Sequence, residues 1–224
     1  MRDFRKELFE KSDNAYKKFH SKIVPDTHYE IIGVRLPEVR KIAKSAGKED
    51  INFFLGSKQR YYEEYLLRGL FIAKIEKDDA TYALLEDFLP AIDNWAICDC
   101  VASSVKKLAK DKKRLYNKIA TWLKSDKTYT VRFALVCLLC YFVNDEYVDK
   151  ILDIASSVKS DEYYINMAVA WLISVVLVKN YGAAVALLES KTLPTFIQNK
   201  AIDKARDSFR ISNDKKTYLK KLKK

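Results

Sequence analysis

The sequence predicts an all-α fold, a solenoid of repeated helix pairs, and three observations carry that prediction. Turn residues are scarce: 224 residues hold only 5 Gly and 4 Pro, too few for a many-stranded β-fold and suited to helices joined by short loops. Apolar helical stretches also begin at recurring intervals. "SDKTYTVRFALVCLLCYF" starts at Ser125 and "SDEYYINMAVAWLISVV" starts 35 residues later at Ser160, while "SKQRYYEEYLLRGLFIAK" starts at Ser57, 68 residues before Ser125. Between these starts lie second helical stretches, "KKRLYNKIATWLKS" (112–125) and "DEYVDKILDIASSVK" (145–159). The unit is therefore two helices, repeated so that each buries its apolar face on its neighbours. The Gly and Trp positions of tetratricopeptide repeats are missing, so irregular HEAT-like pairs fit better. About six such pairs would wind into a curved right-handed superhelix with a concave face.

Taken in order, the elements support this architecture. The opening "MRDFRKELFEKSD" is charged throughout, unlike a signal peptide. "GVRLPEVRK" reads as a loop followed by a helix with Pro37 in its first turn. The Ser or Asp that opens each repeat reads as an N-cap, its side-chain oxygen satisfying a free amide of the first turn. "MAVAWLISVVLV" (167–178) is too short to span a bilayer and reads as a buried helix. The chain, 49% hydrophobic, is expected to form one domain over residues 1–224. The exception is the tail "DKKTYLKKLKK" (214–224), basic and expected to fray.

Charge and cysteine usage narrow the function classes. The formal net charge of +11 favours nucleic acid or an acidic surface as partner. The four cysteines are expected to be reduced thiols of a cytoplasmic protein. Cys137 and Cys140 form a CxxC, but inside an apolar helix where they share one face as core residues. A zinc site would need two further ligands, and none stands at zinc-like spacing, so neither metal nor other cofactor is expected. No membrane association is expected, and the protein is expected to be a monomer.

The stretch "DNWAICDC" (93–100) is where chemistry concentrates. With residues 92–110 on one helix, Ile97, Val101, Val105 and Leu108 form an apolar stripe. Trp95, Asp99, Lys106 and Lys110 fall on another side, with Trp95 and Asp99 neighbours at i, i+4. One reading is a tryptophan packed on an adjacent helix beside a solvated or lysine-paired carboxylate. The other is a pocket facing nucleic acid, with an aromatic wall, one carboxylate and a basic surround. Arg35, Arg40 and Lys41, near the start of the helix after "GVRLP", either bind phosphates or form a solvated basic face.

On "IIGVRLPEVRKIAK" (31–44), "DNWAICD" (93–99), "YTVRFALV" (129–136) and "NMAVAWL" (166–172), in this order on a repeat background, the chain resembles the AlkD-type DNA alkylation repair proteins. The resemblance runs over roughly residues 15–210. It implies double-stranded DNA, alkylated in the substrate form, as partner. It also implies glycosylase release of cationic purines such as 3-methyladenine and 7-methylguanine without full base extrusion. It assigns Asp99 to stabilise the sugar cation and hold the attacking water, Trp95 and Trp171 to cradle the charged nucleoside, and Arg132 to clamp a phosphate.

The chain departs from that family in "FHSKIVPDTHYE" (19–30), where active members carry an extra helix with an aromatic against the minor groove. Here Pro25 breaks the stretch, Val24 falls near the aromatic's place, and the loop is short. The helix after Trp171 also continues as apolar "LISVVLV". These departures imply a paralogous branch with weak DNA binding and little or no excision. A HEAT-like protein-interaction scaffold is the third reading.

Overall fold

The computed structural model describes residues 1–224, all helix, turn and loop, with one isolated bridge between Glu30 and Tyr61 in place of any strand. Fourteen α-helices alternate as the repeat pattern requires, and the chain divides into two compact units, Met1–Lys112 and Lys113–Lys224.

The first unit holds α1 (Phe4–Glu10), α2 (Asn14–Ile23), α3 (Leu36–Ser45), α4 (Lys48–Leu55), α5 (Tyr62–Ile72), α6 (Asp78–Phe88) and α7 (Trp95–Ser104). Helix α5 is its centre and packs on α3, α4, α6 and α7. Phe4, Phe54 and Phe71 meet edge to face with centroids 5.1–5.5 Å apart, closing the core between α1, α4 and α5. Gly69 lets α5 and α7 approach, since a Cβ there would lie 2.1 Å from a methyl of Val101.

The second unit holds most of α8 (Lys112–Trp122), then α9 (Thr128–Tyr141), α10 (Val148–Ser157), α11 (Tyr163–Lys179), α12 (Tyr181–Glu189), α13 (Thr195–Arg206) and α14 (Asn213–Lys221). Here α11 packs on α9 and α13 while α10 packs on α12, so first helices stack on first helices and second on second. That layering explains why the "LISVVLV" run of α11 has no polar face: Leu172, Ile173, Val176 and Leu177 are buried with neighbours on several sides.

The structure corrects the N-cap expectation. Ser125 and Ser160 are not N-caps. Each sits two or three residues before its helix and accepts the amide of residue i+2 at 3.1 Å (Lys127 and Glu162), a serine turn that leads into the helix. Ser57 belongs to the end of α4, donating to the Phe54 carbonyl at 2.7 Å. Residues Asn213–Lys221 form α14, Leu219 and Leu222 are buried, and the buried Gln198 amide donates to the Leu222 carbonyl at 2.6 Å. Before Pro25 the N-terminal segment is helical. Helices α1 and α2 precede residue 24, α2 ends before Pro25, and Val24 is buried, while Phe19 on α2 is exposed.

Candidate nucleic-acid interface

Helix α7 begins at Trp95 because Asn94 caps it. The Asn94 side-chain oxygen accepts the amides of Ala96 and Ile97, both at 3.0 Å, and its NH2 donates to Asp93 at 2.7 Å. Asp93 in turn accepts the Thr27 hydroxyl at 3.0 Å and the His28 amide at 2.6 Å, and Tyr29 donates its hydroxyl to the Ala91 carbonyl. The loop after α2 is thus tied to the start of α7. The Trp95 indole N–H donates to the Ile23 carbonyl at 2.9 Å, using the α2 end to fix the ring plane. Asp93 escaped the sequence reading. The only signal was an acidic residue next to the cap, and its partners besides Asn94 lie 65 and 66 positions away.

Asp99 follows Trp95 by one turn, and both side chains are half-buried at the surface of α7. The apolar stripe is real: Ile97, Val101, Val105 and Leu108 are all buried. It does not ride on one helix from 92 to 110, however. Helix α7 stops at Ser104 and a 3-10 turn runs over Lys106–Lys110. A tighter turn keeps i, i+3 residues on one side, so Val105 and Leu108 remain inward while Lys106 and Lys110 are exposed beyond the helix end.

The expected phosphate ligands divide. Arg40 comes onto α7, with guanidinium nitrogens 3.4 Å from Ser104 Oγ and 3.4 Å from Cys100 Sγ. Burial pushes the Cys100 thiol up despite the arginine beside it, so it stays protonated. Arg35 instead turns to α2, bonding the Asp13 carboxylate at 2.9 Å and lying over the Tyr16 ring. Lys41 pairs with Glu38 at 2.6 Å. Residues 1–112 hold 21 Lys and Arg against 19 Asp and Glu, so the unit carrying Trp95 and Asp99 is close to neutral.

In the second unit Arg132 is buried on α9, donating to the Tyr164 carbonyl at 2.8 Å with its guanidinium 6.0 Å from the Tyr164 ring centre. The Arg132 guanidinium is thus held against the backbone and ring of Tyr164 on α11. Trp171 is half-buried in the middle of α11, with the Lys204 ammonium 6.0 Å from its ring centre. No group of three or more His, Cys, Asp or Glu is placed to hold a metal ion. No helix is long and apolar enough to cross a membrane.

A rigidly held indole beside a carboxylate can stabilise a cation in two ways, through the ring's negative face and through the carboxylate's charge. No curated protein sequence matches the chain. The model of the family described as "DNA alkylation repair enzyme" matches residues 2–204, and with nine-tenths of its length covered in this way the chain belongs to that family.

Proposed function

We propose that this protein is a monofunctional DNA N-glycosylase that releases cationic N-alkylated purines, 3-methyladenine and 7-methylguanine, from duplex DNA. The observation that carries the reading is Asp99 placed one turn beyond Trp95, whose indole N–H is committed to the Ile23 carbonyl. An alkylated purine leaves as a neutral base, and the positive charge passes to the deoxyribose. Asp99 meets that developing charge and orients the attacking water, while the Trp95 face favours the cationic nucleoside over its uncharged parent.

A second reading, a family member that binds DNA weakly and excises nothing, is favoured by one set of facts. Arg35 and Lys41 are paired with carboxylates, Arg132 is buried, and the Trp95 unit is nearly neutral. Single-turnover release of 7-methylguanine and 3-methyladenine from methylated duplex, at enzyme excess, separates the two. The glycosylase reading expects release by the wild type and a loss of about 100-fold in Asp99→Asn, the cost of removing one preorganised electrostatic contact. No release by folded wild type sinks it and leaves the binding-only reading. Release that survives in Asp99→Asn removes Asp99 from the chemistry.

A further inference from the structure

The positive surplus is not where the Trp95–Asp99 pair is. Residues 113–224 hold 20 Lys and Arg against 11 Asp and Glu, and residues 200–224 alone hold 10 against 3. Most of this last segment lies beyond residue 204, where the family match ends. It is nonetheless a built part of the fold. Leu219 and Leu222 are buried, Gln198 bonds the Leu222 carbonyl at 2.6 Å, and Asn199 exchanges two hydrogen bonds with the backbone of Lys224, at 2.9 and 3.0 Å.

This anchored helix holds its charges outward. Lys220 and Lys221 of α14, Lys200 of α13 and Arg210 in the turn between the two helices are all exposed. Phe209, beside Arg210, is fully exposed at 102%. The segment's three carboxylates, Asp203 (shared by Arg206 and Lys223), Asp207 and Asp214, leave most of its cations in excess, a concentration of positive charge beyond the mixed charge that solubility needs. An exposed aromatic ring beside cations can pack against the sugars and base edges of a duplex that those cations attract.

We propose that α14, the turn before it and the neighbouring Lys200 of α13 form a DNA-contacting surface, most of it beyond the residues that the family model matches. Lys200, Arg210, Lys220 and Lys221 neutralise backbone phosphates of duplex DNA, and Phe209 packs against sugar and base edges in the groove. Each phosphate contact releases counterion, so it appears in the salt dependence of binding; an apolar contact changes affinity without that signature. The inference concerns unmodified duplex and stands whether or not the protein excises bases.

The test is a fluorescence anisotropy titration of the full chain with a short unmodified duplex over a series of KCl concentrations. Lys200→Ser, Arg210→Ser, Lys220→Ser and Lys221→Ser together should flatten the slope of log K against log salt by about two or more, at ~0.9 per lost contact. Phe209→Ala should weaken binding about fivefold or more at an unchanged slope. A conservative variant, Lys200→Arg with Lys220→Arg and Lys221→Arg, keeps the charge and should keep the wild-type slope; loss of slope there would trace the effect to folding and overturn the proposal. An unchanged slope in the serine variant also overturns it. So does a serine variant that loses binding to vesicles of phosphatidylserine and phosphatidylcholine while its duplex slope holds, which would assign the patch to a membrane surface.

Discussion

Glu63 provides the most direct check on how the Arg40–α7 contact is held. Its carboxylate is fully buried on α5 and accepts three backbone amides from the preceding loop: Ile32 at 2.9 Å on one oxygen, and Gly33 at 2.7 Å and Val34 at 2.9 Å on the other. That loop leads into α3, which carries Arg40 to Cys100 and Ser104. Glu63→Gln preserves shape but removes the charge and turns an accepting oxygen into an NH2 that faces an amide N–H. One charge-assisted bond is lost and a buried donor is left without a partner, together about 3 kcal/mol. For a chain of this size that is a fall in Tm of about 6–12 °C, and a large part of a typical total stability of about 5–15 kcal/mol. Urea and thermal unfolding followed by circular dichroism at pH 7 measure it. A Glu63→Gln protein that melts within about 2 °C of wild type, against the shift expected here, would show that the loop amides find other partners, and the argument would fail.

Two further predictions follow from the same region. Gly33 has φ 102°, and a Cβ there would lie 2.7 Å from Lys17 Cβ and 2.8 Å from the Asp13 carbonyl oxygen. Gly33→Ala should therefore lower stability by at least about 2 kcal/mol in urea unfolding, and a neutral result would mean that α2 shifts at little cost. His20 is buried against Tyr16 and Tyr62 with Nε2 lacking a partner, and burial holds its pKa below the ordinary 6.5. Above 6.5 both states are neutral there. Below it the unfolded chain takes up the proton first, so stability should fall as the pH drops from 6.5 toward the folded value. That fall should be smaller in His20→Asn, and equal pH slopes for the two proteins would refute it.

What the sequence revealed and what it hid follow from the range of the interactions involved. The second helices of the repeats and the burial of Ile97, Val101, Val105 and Leu108 were legible because helical periodicity is local. The end of α7 at Ser104 was not, since a 3-10 turn preserves the i, i+3 spacing of Val105 and Leu108 and leaves the apolar pattern intact. Ser125 and Ser160 misled because serine bonds backbone amides equally well as a cap or as a turn two residues earlier. Helix α14 was hidden because seven of the eleven residues 214–224 are charged, and only Leu219 and Leu222 mark the face that docks beside Gln198 and Asn199. Glu63 and Asp93 were invisible because their partners lie about 30 and 65 positions away, and nothing in one sequence marks such pairs.

The uneven charge bears on how the proposed chemistry and the proposed binding coexist. A carboxylate that stabilises a sugar cation is weakened by every positive charge that adds to the potential around it, while a duplex is attracted by those same charges. One patch cannot be optimal for both. In the first unit Arg35 faces Asp13 and Lys41 faces Glu38, so these cations are neutralised at short range and contribute little beyond a Debye length. The surplus sits instead at residues 200–224, where Lys200, Arg210, Lys220 and Lys221 are exposed. If the two proposals hold, attraction of the duplex and stabilisation of the leaving cation are carried by different parts of the chain. Each can then be removed without the other: the serine substitutions on α13, α14 and their turn should act on affinity and its salt dependence, and Asp99→Asn on the rate of release alone.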